Sequence, residues 1–255
     1  MCRPNSKSAQ QQSMLIDNIT RATMQVLNDE GLINFRVGRI ISNANCSSKS
    51  FYQAYEDKSD LLLCLWVRTA VSNQLATIEQ HQQQLNDLSC LLLPFVMTLY
   101  RSSEYPIAMH AISTSINASI WSSVDSGKSD KVRARINFFW RWVRHYAERL
   151  QQHGQLQCSE QQLHLLCDKL SYLLRGFIWV NGSQLVDAQH RLNKPQIFMD
   201  LMASELLPLG ISQAQLEHAA IIASNYALHS QQRQRHISCQ QCQQLTEMCK
   251  QRQLP

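Results

Sequence analysis

Residues 36 to 61 admit few folds, because two short apolar stripes meet there across a turn too tight for anything but helix ends. Val37, Ile40 and Ile41 mark the first stripe, and Ala44-Asn45-Cys46 follows without a glycine. A reversal at that point needs a positive φ, and Asn is the best substitute when Gly is absent. Ser47 is placed to cap a second helix whose first turn is Ser48, Lys49 and Ser50. Phe51 and Tyr55, four apart, face inward together, which turns Tyr52 and Gln53 outward. Asp57 stands three residues before Asp60, a capping arrangement that opens a third helix with Lys58 at its first position. The passage reads as a helix-turn-helix.

The preceding segment supplies a scaffold for it. Leu15, Ile19, Ala22 and Val26 share one helical face, which predicts a first helix from Ser13 to Glu30. Gly31 sits where a left-handed C-terminal cap is needed, with Leu32 folding back on the last turn. A compact helix-turn-helix holds one helix end-on in a DNA major groove, so the chemistry of residues 47 to 53 matters. A helix N-terminus brings partial positive charge and free N–H groups to phosphate. Small hydroxyls and a lysine approach base edges closely, and Gln53 suits adenine. A flanking tyrosine hydroxyl and lysine suit phosphates.

In this passage the chain resembles the TetR/AcrR family of bacterial transcriptional regulators. The family pattern is a Thr, three residues, Ile-Ala, two residues, Ala-Gly-Val-Ser, four residues, Tyr, two residues, Phe, two residues, Lys, two residues, Leu. Ile40, Ala44, Ser47, Tyr52, Lys58 and Leu61 stand at matching places, with Tyr55 for the Phe and Cys46 for the Val. The resemblance implies that Ser47 to Tyr55 form the recognition helix and that Tyr52 and Lys58 contact phosphates. It implies a repressor more often than an activator, working as a dimer on two-fold operator DNA. The chain departs in three places: Arg36 replaces the phosphate-touching Thr, Ile41 replaces a small Ala, and Asn45 replaces Gly. The expected DNA-binding set is Arg36, Ser47, Ser48, Lys49, Ser50, Tyr52, Gln53 and Lys58.

Charge adds little to that case. Residues 1 to 60 hold seven Lys and Arg against six Asp and Glu, a net of +1, so the electrostatic footprint of a DNA binder is faint. Spacing and residue type carry the reading. With 255 residues, 7 Gly, 6 Pro and no strict alternation bounded by turn pairs, the chain is expected to be all-α. The expected organisation is a disordered arm over 1–12, the helix-turn-helix domain over 13–60, a helical regulatory and dimerisation domain over 61–229, and a polar Gln-rich tail over 230–255. Nine Cys point to free thiols in a reducing, cytoplasmic compartment. The longest apolar run, Leu61 to Val67, is too short to cross a bilayer, and no membrane partner is expected.

Beyond Lys58 the periodicity predicts helices over about 58–84, 87–102, 105–121, 129–153, 160–187, 194–207 and 212–231. In the fourth, Val132, Ile136, Phe139, Val143, Tyr146 and Leu150 form one stripe, flanked by Phe138 and Trp142 on one side and Trp140 and Arg144 on the other. In the family this region borders an inducer cavity, so the resemblance implies a small-molecule effector. Its expected lining is Trp66, Tyr100, His110, Trp121, Phe139, Trp142 and Tyr146. Met97, Met109, Met199 and Met202 suit a plastic, apolar site, while Arg101 or Arg135 offers a partner for a carboxylate. A packed aromatic core is the competing account of the same residues.

The helix over 160–187 is apolar on more than one face, which predicts both a core and a subunit contact. In the family two late helices per subunit make a four-helix dimer interface. The expected contact residues are Leu170, Leu174, Gly176, Phe177, Phe198, Leu201 and Met202. From Ser230 onward Gln dominates, and disorder or a frayed helix is expected. Cys239 and Cys242 lie near His236, but one Cys-x-x-Cys pair falls short of the four ligands a zinc site gathers, so neither metal nor cofactor is expected. No phosphate loop, His-Glu-x-x-His or nucleophile elbow points to an enzyme. The alternative to a regulator is a ligand- or protein-binding helical module whose helix-turn-helix does not read DNA.

Overall fold

The computed structural model describes residues 9–68, 84–104, 126–182, 187, 189, 195–233 and 239–251. Those residues form ten α-helices and no strand. We number them in chain order: α1 Ala9–Asn34, α2 Val37–Asn43, α3 Ser48–Ala54, α4 Lys58–Trp66, α5 Asp87–Glu104, α6 Ser126–Gln152, α7 Glu160–Gly182, α8 Pro195–Leu206, α9 Gln213–Arg233 and α10 Cys239–Gln251. The segment 105–121, read from the sequence as a helix, lies outside the described residues.

Helices α1 to α4 enclose one hydrophobic cluster. Ile19, Val26 and Leu27 of α1 meet Ile40 of α2, Phe51 of α3, and Leu61 and Leu65 of α4. Gly31, with φ 74° and ψ 172°, breaks α1 as expected, and a last turn reaches Asn34 before the chain bends at buried Phe35. Each interior helix supplies only one or two core side chains, so the rest of its surface stays in water.

A second, larger cluster fills the body. Helix α5 is apolar all round, with Leu88 through Met97 buried continuously, as befits a helix covered on every side. Pro94 lies within it and has no N–H for the Cys90 carbonyl, which accepts instead from the Trp142 indole N–H at 3.1 Å. Asn86 accepts from the Ser89 amide at 2.7 Å and so starts the helix. Helices α9 and α6 flank α5, and α7 and α8 close the other side.

Helix α4 serves both clusters. Leu61 and Leu65, four apart, point into the first, whereas Leu63, Trp66 and Val67 point into the second. Its end is pinned to α1 by Arg68, whose fully buried guanidinium pairs with Asp17 and donates to Thr20. Sharing one helix between clusters makes their relative placement a property of packing.

The tail departs from expectation. Residues 239–251 form α10, which packs against α6 and also against α1. Leu245, Thr246 and Cys249 are buried, with Cys242 and Met248 packed beside them. Their three- and four-residue spacing makes an apolar stripe that the flanking glutamines hide. Arg135 and Arg141 of α6 hold the helix down. Arg135 donates to the Cys242 carbonyl and to Thr246 Oγ1, and Arg141 donates to the Cys249 carbonyl at 3.1 Å.

Candidate functional site

The turn between α2 and α3 is built as a helix terminus that satisfies its own carbonyls. The Asn45 amide donates to Ser42 O at 3.1 Å and the Cys46 amide to Ile41 O at 3.2 Å, the paired bonds of a Schellman motif. Asn45 takes φ 49°, alone among the described non-glycine residues. Ser47 then accepts from the Ser50 amide at 3.1 Å, with its own backbone extended, and so caps α3. At the far end Asp57 accepts from the Asp60 amide at 2.8 Å while Asp60 accepts from the Glu56 amide at 3.1 Å. That reciprocal pair starts α4.

Helix α3 is anchored on one face and bare on the other. Phe51 and Tyr55 are buried with ring centroids 5.8 Å apart. Burial pushes the Tyr55 phenol well above its usual range, so it remains a neutral donor, and its O–H points to Cys64 Sγ at 3.5 Å. The opposite face exposes Ser47, Ser48, Lys49, Tyr52 and Gln53, with Ser50 half-buried. Tyr52 is 57% exposed and its ring meets the edge of Phe51 at 5.3 Å, which fixes where the hydroxyl is carried. Arg36 is exposed at the start of α2. The eight residues expected to face DNA therefore lie on α3 and at the helix starts beside it.

Two cations near this face have partners inside the protein. Lys58 Nζ donates to the Phe35 carbonyl at 2.9 Å and sits 4.6 Å over the Phe35 ring. An ammonium has three donors, so this contact positions the lysine and leaves its remaining N–H bonds directed outward. Arg39, on the outer face of α2, pairs with Glu30 of α1.

The aromatics of the body are less like a cavity lining than expected. Trp66, Trp142 and Tyr146 are all buried within the second cluster. The Trp142 indole N–H donates to Cys90 O at 3.1 Å, and its ring lies 4.6 Å from that of Tyr146. Burial raises the Tyr146 phenol and pushes the Cys90 thiol up to about 12, so both stay neutral. Phe139 is half-buried and packs edge-on to Trp140 at 5.1 Å. His110 and Trp121 lie outside the described residues. The inward stripe of α6 also differs from the expected one: Phe138, Trp142 and Arg135 are buried, while Ile136 and Phe139 are only partly so. Arg135 is drawn inward by α10, a packed helix where disorder or a frayed helix was expected.

Among the described residues of the expected lining, Tyr100 alone opens on a groove, of about 550 Å³, between α5, α8 and α9. Its floor is Val96, Leu99 and Leu216, its walls include Met199, Ala203 and Ala220, and Asp200 and Glu217 stand among its polar residues.

Helices α7 and α8 carry the second apolar face anticipated for α7, but with different residues. Leu170, Phe198 and Met202 are completely buried and Leu174 nearly so, because they pack inside the subunit's own core. The outer face instead presents Leu165, Tyr172 and Trp179, the last two 69% and 59% exposed. Between α7 and α8 runs a groove of about 460 Å³ lined by Tyr172, Gly176, Phe177, Val180 and Leu201, with the Lys169–Glu205 ion pair (2.8 Å) at its side. A Cβ at Gly176 would meet nothing within 4 Å, so the glycine leaves a dent in that face. Of the expected contact set, Gly176, Phe177 and Leu201 line it.

No protein-family model matches the chain, and no curated protein matches it. Solved structures do. RolR in complex with resorcinol overlays with a TM-score of 0.54 at 17% identity, over 83% of this chain and 95% of that one. RolR without ligand gives 0.53 at 18% identity, over 80% and 96%. A TetR transcription regulator from Haloarcula marismortui overlaps more loosely, at a TM-score of 0.48 and 14% identity over 85% and 98%. At such identities the likeness concerns the path of the chain and leaves individual side chains to be argued from their own surroundings. This chain shares the all-helical fold of RolR, and the described residues at its amino end form a helix-turn-helix module.

Proposed function

We propose that the protein is a DNA-binding transcriptional regulator, a repressor that sits on a two-fold operator as a homodimer and leaves it when a small molecule binds the body. The observation that carries this reading is α3: a capped helix whose buried Phe51 and Tyr55 fix its roll, so that Ser48, Lys49, Tyr52 and Gln53 project together into solvent. Hydroxyls, an amide and an ammonium on one short exposed face suit base edges and phosphates better than they suit a protein interior. The exposed Tyr172 and Trp179 face of α7 is the proposed subunit contact, since a two-fold operator requires two modules held one helical turn apart. RolR is named as binding resorcinol, which supports a small-molecule effector for this fold.

The proposed DNA contacts are Arg36, Ser47, Ser48, Lys49, Ser50, Tyr52, Gln53 and Lys58. Fluorescence anisotropy with a duplex from the gene's own promoter tests them. Specific retention is expected, falling steeply as salt rises. Lys49→Ala should cost about 1–2 kcal/mol of binding and relax sequence choice, whereas Lys58→Ala should weaken all duplexes alike. Equal retention by both variants and the parent at every salt concentration would remove the proposal.

One observation favours a second reading, a helical binding module that does not read DNA. Arg39 and Lys58 both engage partners within the module, on a segment whose net charge is only +1. That reading predicts no salt-dependent retention of any duplex.

A further inference from the structure

The grooves on the two sides of α8 differ in charge. The groove between α7 and α8 contains one acid and one base, Glu205 and Lys169, already paired with each other. The groove between α5, α8 and α9 contains two exposed acids, Asp200 and Glu217, and no Lys, Arg or His among its described lining residues. Each carboxylate is steadied by a glutamine four residues earlier: Gln196 donates to Asp200 at 3.0 Å and Gln213 to Glu217 at 2.8 Å. A neutral amide orients a carboxylate and leaves its charge uncompensated.

Beneath the acids lies an apolar floor, with Val96, Leu99 and Leu216 buried and Met199, Ala203 and Ala220 half-covered. Ile221 and Leu228 of α9 extend that surface outward, at 62% and 39% exposure. The volume of about 550 Å³ falls in the range of small-molecule sites, roughly 300–1,000 Å³. An anion would be repelled by both acids. A neutral apolar molecule would cover the floor and gain nothing from the two exposed carboxylates. A molecule with an aliphatic or aromatic body and one positive group satisfies floor and rim together.

We infer that the groove between α5, α8 and α9 is a binding site for an amphipathic organic cation, whose apolar body lies on Val96, Leu99 and Leu216 while its charged group meets Asp200 and Glu217. That such a molecule is the effector rests on the function proposed above. The geometry gives it a route: α8 forms a wall of this groove with Met199, Asp200 and Ala203, and lines the proposed subunit face with Leu201 and Glu205. A ligand that shifts α8 therefore acts on the interface that spaces the two modules.

Isothermal titration of the full chain, without DNA, tests the site using decyltrimethylammonium below its micellar concentration, with decanol and decanoate as neutral and anionic counterparts. Saturable binding of the cation, one per subunit and at least about tenfold tighter than either counterpart, is expected from one or two partly exposed ion contacts. The Asp200→Asn, Glu217→Gln pair should erase that preference while leaving decanol binding unchanged. Ala203→Trp should fill the groove and abolish binding of both. Equal binding of the three compounds, or a cation preference that survives the acid substitutions, overturns the inference; the isosteric acid variants decide it even where the tryptophan variant does not fold. Because DNA is absent, the outcome is independent of whether the chain reads an operator, and promoter retention with and without the cation separates the two claims.

Discussion

The two hydrophobic clusters are built on different scales. In the N-terminal module α2 and α3 run seven residues each, contributing one face to a common core and giving the other to solvent, while the nine-residue α4 turns its other face to the second cluster. In the body α5, α6 and α7 run 18, 27 and 23 residues and are wrapped by neighbours on several sides. A short helix over a small core sorts its residues cleanly into support and contact, and α3 is such a helix. A long enclosed helix buries side chains on two or three faces, so an aromatic within it is as readily a piece of filling as the wall of a cavity. Among the described residues the body's grooves consequently lie at its margins, on the two sides of α8.

Substitutions at matched depth give the sharpest test of this contrast. Phe51→Ala and Trp142→Ala each remove a fully enclosed ring and should cost about 3–5 kcal/mol. The loss at Phe51 should be confined to the module. All five tryptophans lie beyond residue 65, so their fluorescence reports the body and should hardly change when the module opens. Coincident loss of both signals in Phe51→Ala would mean that α4 makes the clusters one cooperative unit. If Trp142 instead lines an effector cavity, its removal should cost far less and alter ligand binding selectively.

Next in size is Leu245→Ala on α10, expected to cost about 2 kcal/mol from partial loss of a buried side chain at the edge of the core. Hydrogen exchange should then quicken in both α1 and α6, because α10 packs against each. Exchange that quickens in α6 alone would separate α10 from the module. Asn45→Gly should stabilise the module by up to about 1 kcal/mol, since glycine accepts φ 49° without the left-handed penalty. Chemical denaturation of the module reads it, and a destabilised variant would show that the Asn45 side chain contributes to the turn.

The smallest effect concerns His145. Burial, reinforced by Arg149, lowers its pKa, so the unfolded chain binds a proton more readily than the native one. The stability this neutral histidine supports is present above the ordinary histidine value, about 6.5, and declines as pH falls below it. His145→Gln should flatten that part of the profile in thermal melts across pH 5 to 7. An unchanged slope would assign the decline to other groups.

The module was readable because its signals are local. Asn45, Ser47 and the Asp57–Asp60 pair act on backbone groups within three or four residues, so the turn and both caps follow from neighbouring letters. The body's signals are distant. Leu170, Phe198 and Met202 looked like contact residues because an apolar helix face does not declare whether its neighbour belongs to the same subunit. The outward stripe of α7 was visible in principle, as Leu165, Tyr172 and Trp179 recur at seven-residue spacing. Helix α10 is obscured for another reason: Cys242 reads as half of a Cys-x-x-Cys pair, when beside Leu245, Met248 and Cys249 it serves as a small apolar side chain.

Helix α10 is the last of the described helices in the chain, yet it rests on the first and on α6. During translation both clusters leave the ribosome before the segment that touches each of them. Among the described contacts, α4 and the Arg68–Asp17 pair hold the nascent module to the body until residues 239–251 have been synthesised and α10 can pack on both.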